Sequence, residues 1–152
     1  MGPASGIIIE SEVDEEFKKD FRSFIKKLGG EFFGNDIIYK GRSFLFGFGW
    51  SYPEEIAEYA HLEAAASLKP KSKIHLSANC NSQDDHRYLG ELSYSVCAKF
   101  EGIVEFCDDL RERTGDLELI DHPQHYSNDV TSQLGQELMK IWLDHNDFHM
   151  VK

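Results

Sequence analysis

The stretch from Lys73 to Cys107, KIHLSANCNSQDDHRYLGELSYSVCAKFEGIVEFC, constrains the fold most tightly, because its apolar periodicity switches from strand to helix and back. Ile74, Leu76, Ala78 and Cys80 alternate with His75, Ser77 and Asn79, the pattern of a strand with one dry and one wet face. Ser82 with Asp85 three residues on, just before an apolar run, is a capping box and starts a helix. Leu89, Leu92, Val96 and Phe100 then lie on one helical stripe. Gly102 is expected to end that helix in the left-handed conformation open to glycine. Ile103, Val104 and Phe106 make a return strand. A strand, a crossover helix and a second strand in one sheet are nearly always parallel and right-handed, so a parallel pair is expected here.

The flanking chain reads in the same terms. Ile7, Ile8 and Ile9 form a short buried strand. From Asp14, Phe17, Phe21, Phe24, Ile25 and Leu28 keep helical spacing, with acids in the first turn and Lys26 and Lys27 in the last, until Gly29 and Gly30 stop the helix. Residues 31–39 are one bulged strand or a tight hairpin around Asn35 and Asp36. Phe44, Phe46, Phe48 and Trp50 form an aromatic face for the core, and Gly47 and Gly49 on the other face suggest a bulge or the close approach of another chain or ligand. The GFG run lacks the full G-x-G-x-x-G and the basic residue of a phosphate loop. Ser51, Pro53 and Glu54 open a helix whose narrow face is Ile56, Ala60, Ala64 and Leu68, ended by Pro70. Leu117, Leu119 and Ile120 suggest another strand, and His122 to Asp129 a loop. Asp129 or Thr131 is the expected cap of a last helix carrying Val130, Leu134, Leu138, Ile141 and Trp142, with Gly135 as an unfavourable interior residue. The reading is a single α+β domain over 1–152: a two-layer α/β sandwich with a mixed sheet and helices mainly on one face, since a wet strand face argues against cover on both sides.

Net charge is −11, from 27 acidic against 16 basic residues. Such a charge disfavours nucleic acid or an anionic membrane as partner and speeds encounter with a basic protein. No apolar run approaches a membrane span, and the N-terminus lacks a basic region followed by an apolar one, so a cytoplasmic protein is expected. Gly6 occupies the position where a myristoylation signal needs Ser or Thr. Cys80, Cys97 and Cys107 are odd in number and unpaired in spacing, which favours packed thiols over disulfides.

The candidates for chemistry each have an ordinary structural explanation. His122 and His125 beside Asp121, and His145 and His149 among Asp144 and Asp147, lack nearby cysteines and the H-E-x-x-H pattern, so no metal and no cofactor is expected. Cys80 near a helix start with His86 as base would be a nucleophilic pair, but Cys80 continues the apolar alternation and reads as packed. Asp84, Asp85, His86 and Arg87 serve either as helix-terminal partners or as a binding cluster. The acids from Glu10 to Glu16 and from Glu54 to Glu58 read as solvated faces.

Three patches, NCNSQDDHRYLGEL (Asn79 to Leu92), FEGIVEF (Phe100 to Phe106) and WLDHNDFHMVK (Trp142 to Lys152), resemble a family of small uncharacterised bacterial proteins classed as a domain of unknown function. Proteins of this kind are similar to the immunity partners of polymorphic toxins, and no catalytic residues come with the resemblance. The resemblance, the charge and the lack of a catalytic constellation imply a non-enzymatic immunity protein whose acidic surface neutralises a cognate, basic toxin. Asp84, Asp85, His86, Arg87, Asp108, Asp109 and Glu118 are the expected partner-binding residues. The competing expectation is an enzyme or small-ligand binder built on the turn from Asn79 to Arg87, with Trp50 or Tyr52 as a wall. Nothing in the residues fixes an oligomeric state.

Overall fold

The three consecutive isoleucines Ile7, Ile8 and Ile9 are fully buried, although neighbouring side chains on a strand point to opposite faces. A strand dry on both faces belongs in the middle of a covered sheet, and each such side chain contributes about 1.5–3 kcal/mol by leaving water. In the computed structural model, which describes residues 2–128 and 130–150, β1 (Ala4–Ile9) takes that place. The other strands are β2 (Glu31–Phe33), β3 (Asp36–Tyr39), β4 (Arg42–Phe48), β5 (Ser72–Ala78), β6 (Ile103–Phe106), β7 (His125–Ser127) and β8 (Ser132–Leu134). They form one eight-stranded sheet in the order β2-β3-β4-β5-β1-β6-β8-β7.

The fold is α+β, and every ladder among the described residues is antiparallel. This corrects the mixed sheet with an adjacent parallel pair. β5 and β6 do run in the same direction, but β1 pairs with both and lies between them. The long helices α1 (Glu15–Lys27), α3 (Gln83–Lys99) and α5 (Gln136–Leu143) pack their Phe21, Ile25, Leu92, Val96, Leu138 and Trp142 onto one face, against Ile7, Ile9, Leu76, Val104 and Phe106. The opposite face carries Ile8 and Ile103 and is partly covered by a strap, residues 51–68, made of a 3-10 segment (Pro53–Tyr59) and the short α2 (His61–Ala66).

Local chemistry explains where the elements begin and end. Asp14 caps α1 by accepting the Phe17 N–H at 2.8 Å, and Ser82 and Asp85 form the reciprocal capping box of α3. The hairpin alternative is the one found for residues 31–39, turning at Gly34 and Asn35 with Gly34 at φ 61°. Gly49, at φ 104°, turns Trp50 away from the aromatic face to stack on Tyr59 at 5.6 Å. No described residue lies within 4 Å of where a Gly47 Cβ would be, so this face of β4 is open at Gly47 among the described residues. Of the expected stripe only Leu68 is buried; the strap buries Glu55, Tyr59 and Leu62 with it and leaves Ile56, Ala60 and Ala64 exposed, because its first half winds as a 3-10 helix. Leu117–Ile120 is one helical turn, α4, capped by Asp116, and not a strand, while part of the expected loop after it pairs as β7. The expected last helix gives its first part to β8, and Val130 is exposed. Gly135 is the cap residue before α5, where its backbone is extended, so it carries no interior-glycine penalty. Asp129, the alternative cap, lies outside the described residues.

Glu101, and not Gly102, takes the left-handed conformation at the end of α3, with φ 52°. Gly102 answers a different need: a Cβ there would stand 2.7 Å from Ile7 Cγ2 and 2.8 Å from the Ile8 carbonyl oxygen. Glu101→Gly is therefore expected to stabilise the fold by roughly 0.5–1 kcal/mol, relieving a side chain from αL. Gly102→Ala is expected to destabilise it by roughly 1–3 kcal/mol through overpacking. Thermal melts of the two variants check this; equal and opposite results would assign the roles the other way round.

Candidate functional site

β5 and β6 point the same way, so the residues that follow them meet at one end of the sheet. Most of the residues singled out from the sequence gather there. Asp84 is exposed and lies 3.4 Å from Arg42. Asp85 is buried, which pushes its carboxyl up, but the Ser82 hydroxyl at 2.6 Å, the Ser82 N–H at 2.7 Å and the charge of Arg42 more than offset this and hold it below the ordinary carboxylate range. His86 Nδ1 accepts the Met150 N–H at 2.9 Å, which leaves Nε2–H to donate to Asn81 Oδ1 at 3.0 Å. Arg87 donates to the Leu143 carbonyl and sits 3.5 Å from Glu91. These side chains thus cap α3 and tie the segment after α5 to it. Asp108 pairs with Arg113 at 2.6 Å, and Asp109 caps the 3-10 turn Leu110–Glu112. Glu118 is exposed on α4, whose cap Asp116 meets His145 at 3.1 Å.

Other candidates are dispersed. Trp50 Nε1 donates to the Lys71 carbonyl, at the opposite end of β5 from Asn79, so neither Trp50 nor Tyr52 on the strap walls the Asn79 to Arg87 turn. Cys80 lies past the end of β5 and is exposed, contrary to the packed reading, and Cys107 is exposed as well. Cys97 is the buried thiol, pushed up to about 12 by burial. His122 Nδ1 accepts the Gln124 N–H, and His125 bridges the Ile120 carbonyl and Ser132 Oγ. Among the described residues no three His, Cys, Asp or Glu side chains converge as a metal would require.

The most heavily constrained polar group on the second face was not anticipated. Lys73 is buried in β5, with its ammonium 2.6 Å from Glu55 of the strap, 2.5 Å from Glu105 of β6 and 3.2 Å from the Tyr59 hydroxyl, which donates to Glu105. Burial opposes the lysine's charge, yet the two carboxylates outweigh it and leave its pKa above the ordinary value. Burial likewise pushes Glu55 up, but Lys73 and the Ser51 N–H more than offset this and hold it low. Burial and the Glu105 carboxylate push Tyr59 far up, so its hydroxyl remains a donor. Gly6 makes the room: a Cβ there would be 2.4 Å from Lys73 Cε and 2.9 Å from Glu105 Oε2. His61 adds a second anchor at 2.9 Å from Gln133 Oε1. The sequence holds one signal for this, since Lys73 falls on the same alternating face as His75, but what covers that face depends on residues far along the chain.

Glu55 is thus not part of a solvated face, whereas its neighbours are. Glu54, Glu58 and Glu63 are exposed on the outside of the strap beside Tyr52 and Ile56, and no Lys or Arg occurs between Arg42 and Lys69. The strap ends at an open cleft of about 880 Å³ whose lining includes Leu68, Ile103 and Tyr126. No helix among the described residues is long and apolar enough to cross a membrane.

The model of a family of unknown function, DUF6368, matches residues 1–152, and the chain belongs to that family. No curated protein and no solved structure matches it.

Removing one partner of a buried ion cluster strands the others without compensation, at a cost of about 3–5 kcal/mol, whereas neutralising all partners together is far cheaper. Lys73→Met is therefore expected to lower stability by about that amount in chemical denaturation, and E55Q/K73M/E105Q to recover most of it. The pH dependence follows from the two shifts. The lysine's contribution is complete below its ordinary 10.5 and is lost as pH rises through the raised folded value. That of Glu55 is present above 4.5 and is lost as pH falls through its lowered folded value. Glu55→Gln should flatten the acid limb of the stability profile; an unchanged limb would show that Glu55 does not titrate differently on folding.

Proposed function

We propose that this DUF6368 protein acts by binding and not by catalysis, as an immunity protein that holds a cognate, basic toxin domain against an acidic surface. One observation carries the reading: the strap, a stretch without Lys or Arg, exposes Glu54, Glu58 and Glu63 together with Tyr52 and Ile56. Exposed carboxylates steer a positively charged partner, and aromatic and aliphatic groups among them give the desolvated contact that steering alone does not supply. The carboxylates of Glu54 and Glu63 have no hydrogen bond or ion pair among the described residues, so a partner cation would not have to displace an existing one. The buried Lys73 supports the reading differently: it fixes the strap before the partner arrives, which lowers the ordering cost of association.

Asp84, Asp108, Asp109 and Glu118 belong to the same proposal as an outlying acidic surface at the end of the sheet, with Asp84 and Asp108 already facing Arg42 and Arg113. Asp85, His86 and Arg87 contribute by holding that end together. The net charge of −11 favours a basic partner throughout.

Co-expression with the product of the adjacent upstream gene tests the proposal. Wild-type protein should relieve growth arrest and co-purify with that product. E54Q/E58Q/E63Q should slow association about tenfold at low salt, with a smaller difference as ionic strength rises. Absence of both protection and a stable complex would rule the reading out.

A further inference from the structure

Where β1 stops and β6 begins, the cleft of about 880 Å³ opens across the end of the sheet, within the roughly 300–1,000 Å³ of pockets that enclose a ligand. The end of the strap forms part of its lining, together with the end of α3 and the first turns of α5. Its charged lining is lopsided: Glu10, Glu101 and Glu137 face a single cation, Lys140, and Lys140 is already paired with Asp144 at 3.1 Å. Glu10 accepts the Lys69 N–H. The carboxylates of Glu101 and Glu137 have neither a hydrogen bond nor an ion pair among the described residues. Tyr94 and Tyr126 supply aromatic surface, and the Lys140 ammonium lies 5.8 Å from the Tyr94 ring centroid, so one cation already rests over a ring of this lining.

This lining selects among ligands. An anion meets excess negative charge, and a neutral apolar group strips water from carboxylates without replacing it. A cationic head on an apolar stem satisfies both the carboxylates and the rings. Resting on the reading of the chain as a binder of a basic protein, we infer that the cleft receives basic side chains from a loop of that partner, continuing the contact made by the strap. Arginine fits better than lysine, because its planar fork meets a carboxylate through two hydrogen bonds and stacks on tyrosine.

Hexa-arginine amide is a direct probe, titrated calorimetrically into the intact protein at low ionic strength. E101Q/E137Q should raise its Kd about tenfold or more, while E31Q/E112Q, which removes the same charge at exposed sites elsewhere, should leave it within about twofold. The Tyr94 and Tyr126 ring resonances should shift on titration, and thermal melts confirm that the variants fold. Equal weakening by the two variants, no weakening, or no binding by wild type overturns the assignment of the cleft. So does a complex with the upstream gene product that tolerates E101Q/E137Q unchanged, which leaves the binding reading intact. The binding reading fails separately, when peptide selectivity persists but no complex with that product forms.

Discussion

A lysine ammonium closed off from water between two carboxylates is expensive to assemble, and hydrophobic residues of similar volume would often serve stability as well. What the Lys73 cluster provides is position. Glu105 belongs to β6, Lys73 to β5 and Glu55 to the strap, so the charges lock a peripheral segment to the two strands that flank β1. Apolar packing of Tyr59, Leu62 and Leu68 on Ile8 and Ile103 supplies contact area, but such contact tolerates sliding. A three-way ion pair does not, because a shift of a few ångströms would leave buried charges unpaired.

The rest of the architecture follows from how the two faces of β1 are used. Ile7 and Ile9 join the core under α1, α3 and α5, and Ile8 joins the smaller cluster under the strap. The first face is a conventional packed layer. The second is half covered, and the charges that cannot be buried without partners have been gathered either into the Lys73 cluster or onto the strap's outer side. A fixed acidic surface is thereby presented without any cavity being needed beneath it. In the proposed function that surface meets a basic partner, and the cleft at its end gives the contact a place of depth.

Much of the local structure was legible because its causes are local. Asp14 with its helical stripe, the Ser82 and Asp85 capping box, the alternation in β5 and the hairpin at residues 31–39 each depend on residues within a few positions of one another. The insertion of β1 between β5 and β6 depends on pairings across most of the chain, and nothing near residues 73–107 announces it. Leu117–Ile120 is too short for periodicity to separate one helical turn from a strand, so the Asp116 cap decides it. At the candidate site, acids and a histidine next to a helix start looked functional, yet Asp85 and His86 are spent on the cap and on Met150. Lys73 shares the face of His75, and its burial becomes visible once the strap is in place.

The central claim is that the buried lysine fixes the strap, and amide hydrogen exchange of wild type and Lys73→Met under native conditions addresses it most directly. Opening of residues 53–68 should become faster in the variant by a factor of at least about ten relative to the amides of α1, α3 and α5, as expected when one region loses its anchor while the main core keeps its own. Uniform loss of protection across the whole protein, or strap amides that exchange as slowly as in wild type, would contradict the claim.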